Sequence, residues 1–137
     1  KLYDKGMYSN ARTEFENIYS ETASSEAKGY SILCSAALET YGYVHDIEWF
    51  ETEYPYSEML PRLHFAHAVN LFEQGRYAEC AEIFSGMTPE QLRRSSRTEY
   101  VFKYAFSAQE TGDYDKAYQL FSQVVSLPKS DYTAPSQ

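Results

Sequence analysis

The chain has 137 residues, one domain's worth of sequence with room for a real hydrophobic core. Leu, Ile, Val and Phe supply only 26 of them and the net charge is -8, a combination bordering on disorder; 14 Tyr and 13 Ala offer phenol rings and small residues as core material instead. Twenty acids against twelve bases, with a pI near 4.8, are the wrong sign for gripping nucleic-acid phosphates or anionic lipid. Mean hydropathy is -0.58, and no apolar run approaches the ~20 residues of a membrane helix.

Apolar periodicity predicts helices over 7–20, 25–40, 43–54, 60–74, 77–86, 96–111 and 114–126. The first carries Tyr8, Ala11 and Phe15 on one face, with Gly6 read as the end of a preceding helix of which only Lys1–Lys5 remain. The second follows the i, i+3, i+4, i+7 spacing through Tyr30, Leu33, Cys34 and Ala37. The third repeats the first helix's Tyr-x6-Phe as Tyr43 and Phe50, but has Tyr41 where a glycine is expected and Asp46 where a small residue is expected. Asp46 must then find a donor, or its helix must stand further off, with Ile47, Trp49 and Phe50 filling the gap. The fourth opens with Pro61 in its first turn and carries His64, His67, Ala68 and Leu71. The fifth follows Gly75 and holds Tyr77, Cys80 and Phe84. The longer connection MTPEQLRRSS, broken at Pro89, leads to the sixth, with Val101, Tyr104, Ala105 and Ala108. The seventh follows Gly112 and holds Tyr114, Ala117 and Phe121.

The four Tyr-x6-Phe copies begin 35, 34 and 37 residues apart, and a period of this length is the mark of a repeat architecture. The strings KGMYSNARTEF, QGRYAECAEIF and TGDYDKAYQLF give its physics. The glycine closes one helix, a tight turn forces the next to run antiparallel, and the small residue lets the two backbones approach. Through these residues the chain resembles the tetratricopeptide repeat family along essentially its whole length. The resemblance implies an all-α fold: a right-handed α-solenoid of helix–turn–helix hairpins, about three and a half repeats. Units are expected near 1–24 (partial), 27–60, 61–97 and 98–131, with 132–137 starting a further unit and the array continuing beyond both ends. The tyrosines at 8, 43, 77 and 114 begin second helices, Tyr30 and Tyr104 sit on first helices, and Tyr19 and Tyr54 close second helices.

Nothing in the sequence points to catalysis or a cofactor. His64 and His67 share a helix face, but no third ligand or general base stands at a matched spacing, and packing is the expected role. The acids Glu48, Glu51, Glu53 and Glu58 lack calcium-loop spacing and read as a solvated face. Glycine-rich phosphate loops and nucleophile elbows are missing from the sequence. Cys34 and Cys80 fall on different helices without metal spacing and are expected as small buried residues.

What remains is recognition of another protein. The resemblance implies a binding face on first helices: Lys28, Ser31, Ile32, Ser35, Leu38 and Glu39 in the second unit, Arg62, Phe65, Ala66, Val69, Phe72 and Glu73 in the third, and Glu99, Phe102, Lys103, Phe106, Gln109 and Glu110 in the fourth. Arg62, Phe65, Val69, Phe72, Phe102, Lys103 and Phe106 are the candidate contacts, five of them forming an apolar strip for a peptide or helix. The family's clamp for a peptide C-terminal carboxylate is not expected, since only Lys103 matches its basic and amide positions. The function expected is a non-catalytic scaffold holding a protein or peptide. The alternative is a regulatory or sensory arm that docks on an enzymatic or DNA-binding domain of a longer protein. Self-association through open solenoid ends is a further expectation, and neither nucleic acid nor direct membrane insertion is expected.

Overall fold

Seven α-helices and no strand occupy the described residues, 2–126, of the computed structural model. They are α1 (Leu2–Thr22), α2 (Ser25–Leu38), α3 (Tyr43–Glu53), α4 (Leu60–Glu73), α5 (Tyr77–Ser85), α6 (Arg94–Glu110) and α7 (Tyr114–Ser126), with a single 3-10 turn at Pro89–Gln91. Each α-helix falls where the periodicity places one. Residues 127–137, expected to lead into a further unit, lie outside the described residues.

Three helices end on the same hydrogen-bonded turn. After α4, Gly75 has φ +78°, its N–H donates to the Phe72 carbonyl (3.0 Å), and the Arg76 N–H reaches back to Leu71 (2.9 Å). After α6, Gly112 donates to Gln109 (3.1 Å) and Asp113 to Ala108 (2.8 Å). After α2 the left-handed position is held by Glu39, φ +53°, which donates to Ala36 (3.0 Å) while Thr40 donates to Ser35 (2.9 Å). This is the Schellman pattern, which gives the last carbonyls of a helix their partners. The absent glycine at position 41 is therefore made good twice over. Glu39 ends α2 early, and Gly42, φ +86°, restarts the chain so that Tyr43 keeps its phase.

Two expectations are corrected here. Gly6 ends no helix: α1 runs through it from Leu2, so residues 2–5 are not the remnant of a separate helix. Glycine inside a helix costs only ~1 kcal/mol relative to alanine, which flanking residues override. Asp46 needs no donor, because it faces solvent, and α3 packs through Ile47 and Phe50 while Trp49 stays partly exposed.

The chain divides into two compact units, 1–70 and 71–137. In the first, a core of Ile32 and Ala36 from α2, Tyr43, Ile47 and Phe50 from α3, and Met59, Leu60 and Leu63 at the start of α4 excludes water from the hairpin. Phe50 has no exposed surface at all. Asn70 ties the cluster polar-side: its Nδ2 donates to the Ala36 carbonyl and to the Tyr43 hydroxyl, both at 2.9 Å. Gly29 permits the closest approach, because a Cβ there would lie 2.8 Å from Met59 Cγ and 2.9 Å from Met59 Cβ.

In the second unit Phe84 takes the place Phe50 has in the first, again fully buried, with Tyr100 and Tyr104 at 5.1 and 5.9 Å from its ring. The Tyr100 hydroxyl donates to the Met87 carbonyl (2.9 Å) and lies 3.2 Å from that of Phe84. It thus closes the end of α5, where the longer connection begins. Small residues Cys80, Ala105, Ala108 and Ala117 fill the rest of the helix contacts.

Gly29→Ala is expected to destabilise the protein in urea denaturation. The steric cost of ~1–3 kcal/mol in a closed contact exceeds the ~1 kcal/mol gained in helix propensity. Burial pushes the Tyr100 phenol from 10.0 up to about 12. It holds its proton more tightly when folded, so its contribution is complete below pH 10 and is lost as pH rises towards about 12. Tyr100→Phe should therefore lose stability less steeply than the parent chain across that window.

Candidate protein-interaction surface

Residues 62, 65, 69 and 72 follow one another at i, i+3, i+7 and i+10 along α4 and share one side of that helix. Leu63, Ala68 and Leu71 are buried, which leaves Phe65 and Val69 half-buried at the margin. Arg62 is held rather than free. Its guanidinium lies 5.0 Å from the centre of the Tyr30 ring, and Nη1 donates to the Tyr30 hydroxyl at 2.8 Å. Arg62 also forms part of the wall of an open cleft of about 400 Å³ with Ser25, Glu26, Ser57, Glu58 and Met59.

In the second unit, Phe72, Tyr77 and Phe106 close into a three-ring cluster, with centres 5.4 to 5.5 Å apart. The three-residue turn between α4 and α5 brings Phe72 and Tyr77 together across it. Edge-on and tilted contacts of this kind hold rings in one geometry and add ~0.5–1.5 kcal/mol each beyond area burial. Lys103 lies over the cluster, its Nζ 4.5 Å from the Phe72 ring centre and 3.5 Å from Glu99 Oε2. Only 16% of its side chain is exposed, so its stem covers apolar surface while the charge stays near water. Phe102 is turned to a different neighbour, Phe121 of α7 at 6.0 Å, and keeps 42% of its surface exposed. Phe102 and Phe106 are thus one turn apart on α6 with separate aromatic partners.

The positions carried over to α2 do not make an accessible face. Ser31, Ile32 and Ser35 are buried. Ser31 donates to Glu16 of α1, and Arg12 of α1 reaches Ser35 (3.4 Å) and Thr40 (3.3 Å). Burial alone would raise the Glu16 carboxyl; hydrogen bonds from Ser31 and Lys28 and the charges of Lys28 and Arg12 outweigh it and hold it below the usual value. These polar contacts join α1 to α2 and engage Ser31 and Ser35 internally.

The remaining candidates separate cleanly. His67 meets the Tyr43 ring edge-on at 5.8 Å, while His64 Nε2 lies 3.6 Å from Glu51. The two imidazoles therefore serve different neighbours. Among the described residues no group of three or more His, Cys, Asp or Glu side chains is arranged to hold a metal. Cys34 and Cys80 are free and buried, and burial raises both thiols, which keeps them from the reactive thiolate form. No helix of the described residues is long and apolar enough to cross a membrane.

The helix pair α6–α7, with its phased Tyr104, Ala117 and Phe121, is where comparison with known proteins finds a match. Residues 98–125 match the model of the tetratricopeptide repeat family. No curated protein and no solved structure matches the chain. The matched segment contains Phe102, Lys103 and Phe106 and the glycine turn at Gly112. Tetratricopeptide repeats are in general protein–protein interaction modules and are typically non-catalytic. Sequence reasoning placed Tyr77 on the framework but missed its part in the ring cluster, and missed Tyr100 altogether. Tyr100 shares the buried stripe of Val101, Tyr104 and Ala108, and that register was the available signal.

Phe106→Ala should lower stability by ~2–4 kcal/mol in chemical denaturation, since it removes a ring packed against two others. Phe102→Ala should cost under ~1 kcal/mol, as expected of a side chain partly in water.

Proposed function

We propose that this chain is a non-catalytic scaffold that binds a peptide or helix of a partner protein along the first helices of its repeats. This reading extends the repeat from the matched segment to the three other copies of the Tyr-x6-Phe motif. The observation that carries it is Phe102, a large apolar side chain left 42% exposed on α6 beside the half-buried Lys103 and Phe106. Aromatic side chains in such positions dominate the energetics of many interfaces, because they bury large area at low entropic cost.

Within the matched repeat the contacts proposed are Phe102, Lys103 and Phe106, with Phe72 beneath Lys103. Arg62, Phe65 and Val69 are the contacts proposed on the 1–70 unit. Phe72 and Phe106 support the surface through their own packing, whereas Phe102 offers the anchor. Lys103 supplies a cation whose apolar stem is already ordered, so an acidic or carbonyl group of the partner would meet a positioned donor. The acidic surface elsewhere, with 11 acids against 4 bases in residues 1–60, would favour partners of net positive charge and repel acidic ones.

Selection of random 12-residue peptides on the protein tests this. Selected peptides should carry an aromatic or branched apolar anchor. Phe102→Ala should bind them at least tenfold more weakly with helicity by circular dichroism unchanged. Equal binding by this variant would refute this surface.

A further inference from the structure

Lys28 lies in the second turn of α2, and its ammonium group meets an unusual set of neighbours within the 1–70 unit. Nζ is 3.0 Å from Glu16 Oε2, 5.4 Å from the Tyr19 ring centre and 5.7 Å from the Trp49 ring centre. Tyr54, just past α3, stands against both rings. Its ring stands edge-on to Trp49 at 6.2 Å, and its hydroxyl lies 3.2 Å from that of Tyr19. Glu16 and Tyr19 come from α1 and Trp49 from α3, so one cation draws together the sides of two helices besides its own.

Of these residues only Tyr54 packs against the hydrophobic core. α3 packs through Tyr43, Ile47 and Phe50, and Trp49, the chain's single tryptophan, is left 40% exposed. The Lys28 side chain is 22% exposed and that of Glu16 42%, so the site opens to solvent. Aromatic faces beside a carboxylate attract cations through the ring quadrupole, and they favour a bulky, weakly hydrated alkylammonium over a compact, strongly hydrated one. A primary ammonium instead gains most from the hydrogen bond to Glu16.

We propose that Glu16, Tyr19, Trp49 and Tyr54 form a binding box for a methylated lysine side chain of a partner protein, with Lys28 as its resident internal occupant. The occupant is argued from the box itself. A lysine stem already reaches into it, and the ammonium sits where a ligand's would. Residues 1–60 carry 11 acids and 4 bases, which favours a cationic partner segment. Lys28 competes for the box, so its removal raises affinity; a long, flexible side chain loses much rotamer freedom when ordered and is displaced accordingly. The site shares no residue with the surface proposed above and stands or falls separately.

Trp49 is a built-in reporter. A short glycine-flanked peptide carrying trimethyllysine is titrated into the whole chain and followed by tryptophan fluorescence, with an unmodified lysine peptide and free choline in parallel. The trimethyllysine peptide should give a saturable change, and Lys28→Met should bind it about tenfold more tightly, a difference of 1.4 kcal/mol. Tyr19→Ala should abolish the change, whereas Phe102→Ala should leave it intact. Circular dichroism checks that each variant is folded, and a second variant, Lys28→Gln, should match Lys28→Met. The proposal is overturned by no saturable change in either parent or Lys28 variants, or by equal affinity with and without Lys28. Choline or unmodified lysine binding as tightly as trimethyllysine would overturn the assignment to a methylated lysine side chain.

Discussion

The packing of each unit depends on one large, fully buried ring. Phe50 and Phe84 supply it in successive copies of the motif, each without exposed surface. Everything around them answers to that requirement. Ala36 lies in Phe50's cluster, and Cys80, Ala105 and Ala108 are buried in Phe84's unit, where small side chains leave room for the rings. This is why a chain with few branched aliphatics still has a core. Its apolar volume is concentrated in rings set against small residues. Phe15 and Phe121, the same position in the other two copies, are half-buried; Phe15 stacks on Tyr30, and Phe121 meets Phe102 edge-on.

Keeping these rings in phase also demands short turns with fixed geometry. The repeated pair of backward hydrogen bonds at Glu39, Gly75 and Gly112 satisfies the terminal carbonyls and sets where the next helix begins. The α2–α3 turn meets the requirement with a non-glycine residue in left-handed conformation, at some conformational cost. The cost is tolerated because the next residues, Tyr43, Ile47 and Phe50, must arrive in phase. Turn chemistry is thus subordinate to the placement of the ring.

The same geometry decides which polar groups become available for recognition. On α2, the serines and Lys28 are taken up by Arg12, Glu16 and Tyr19 of α1. On α6, Lys103 and Phe106 are ordered by Phe72, and Phe102 is left at the surface. Residues of the two helices therefore have different fates, because each side chain's neighbours come from other elements. Tyrosines divide in the same way. Tyr43 and Tyr104 are buried, Tyr8 and Tyr114 are exposed, although all four occupy framework positions.

The sequence alone determined the seven helices, the phased Tyr-x6-Phe repeat and its glycine turns, because helix periodicity and capping depend on residues a few positions apart. It also marked Phe50, Phe84 and Cys80 as interior, since the motif states which face of the helix they share. It could not show that Gly6 lies within a helix, that Asp46 faces water, or that Glu39 would take a glycine's conformation, because packing overrides propensities of about 1 kcal/mol. Nor could it show that Lys28 is enclosed by Glu16, Tyr19 and Trp49, or that Tyr100 reaches the carbonyls at the end of α5. Those contacts join residues 9 to 21 positions apart, and only the folded chain brings them within reach.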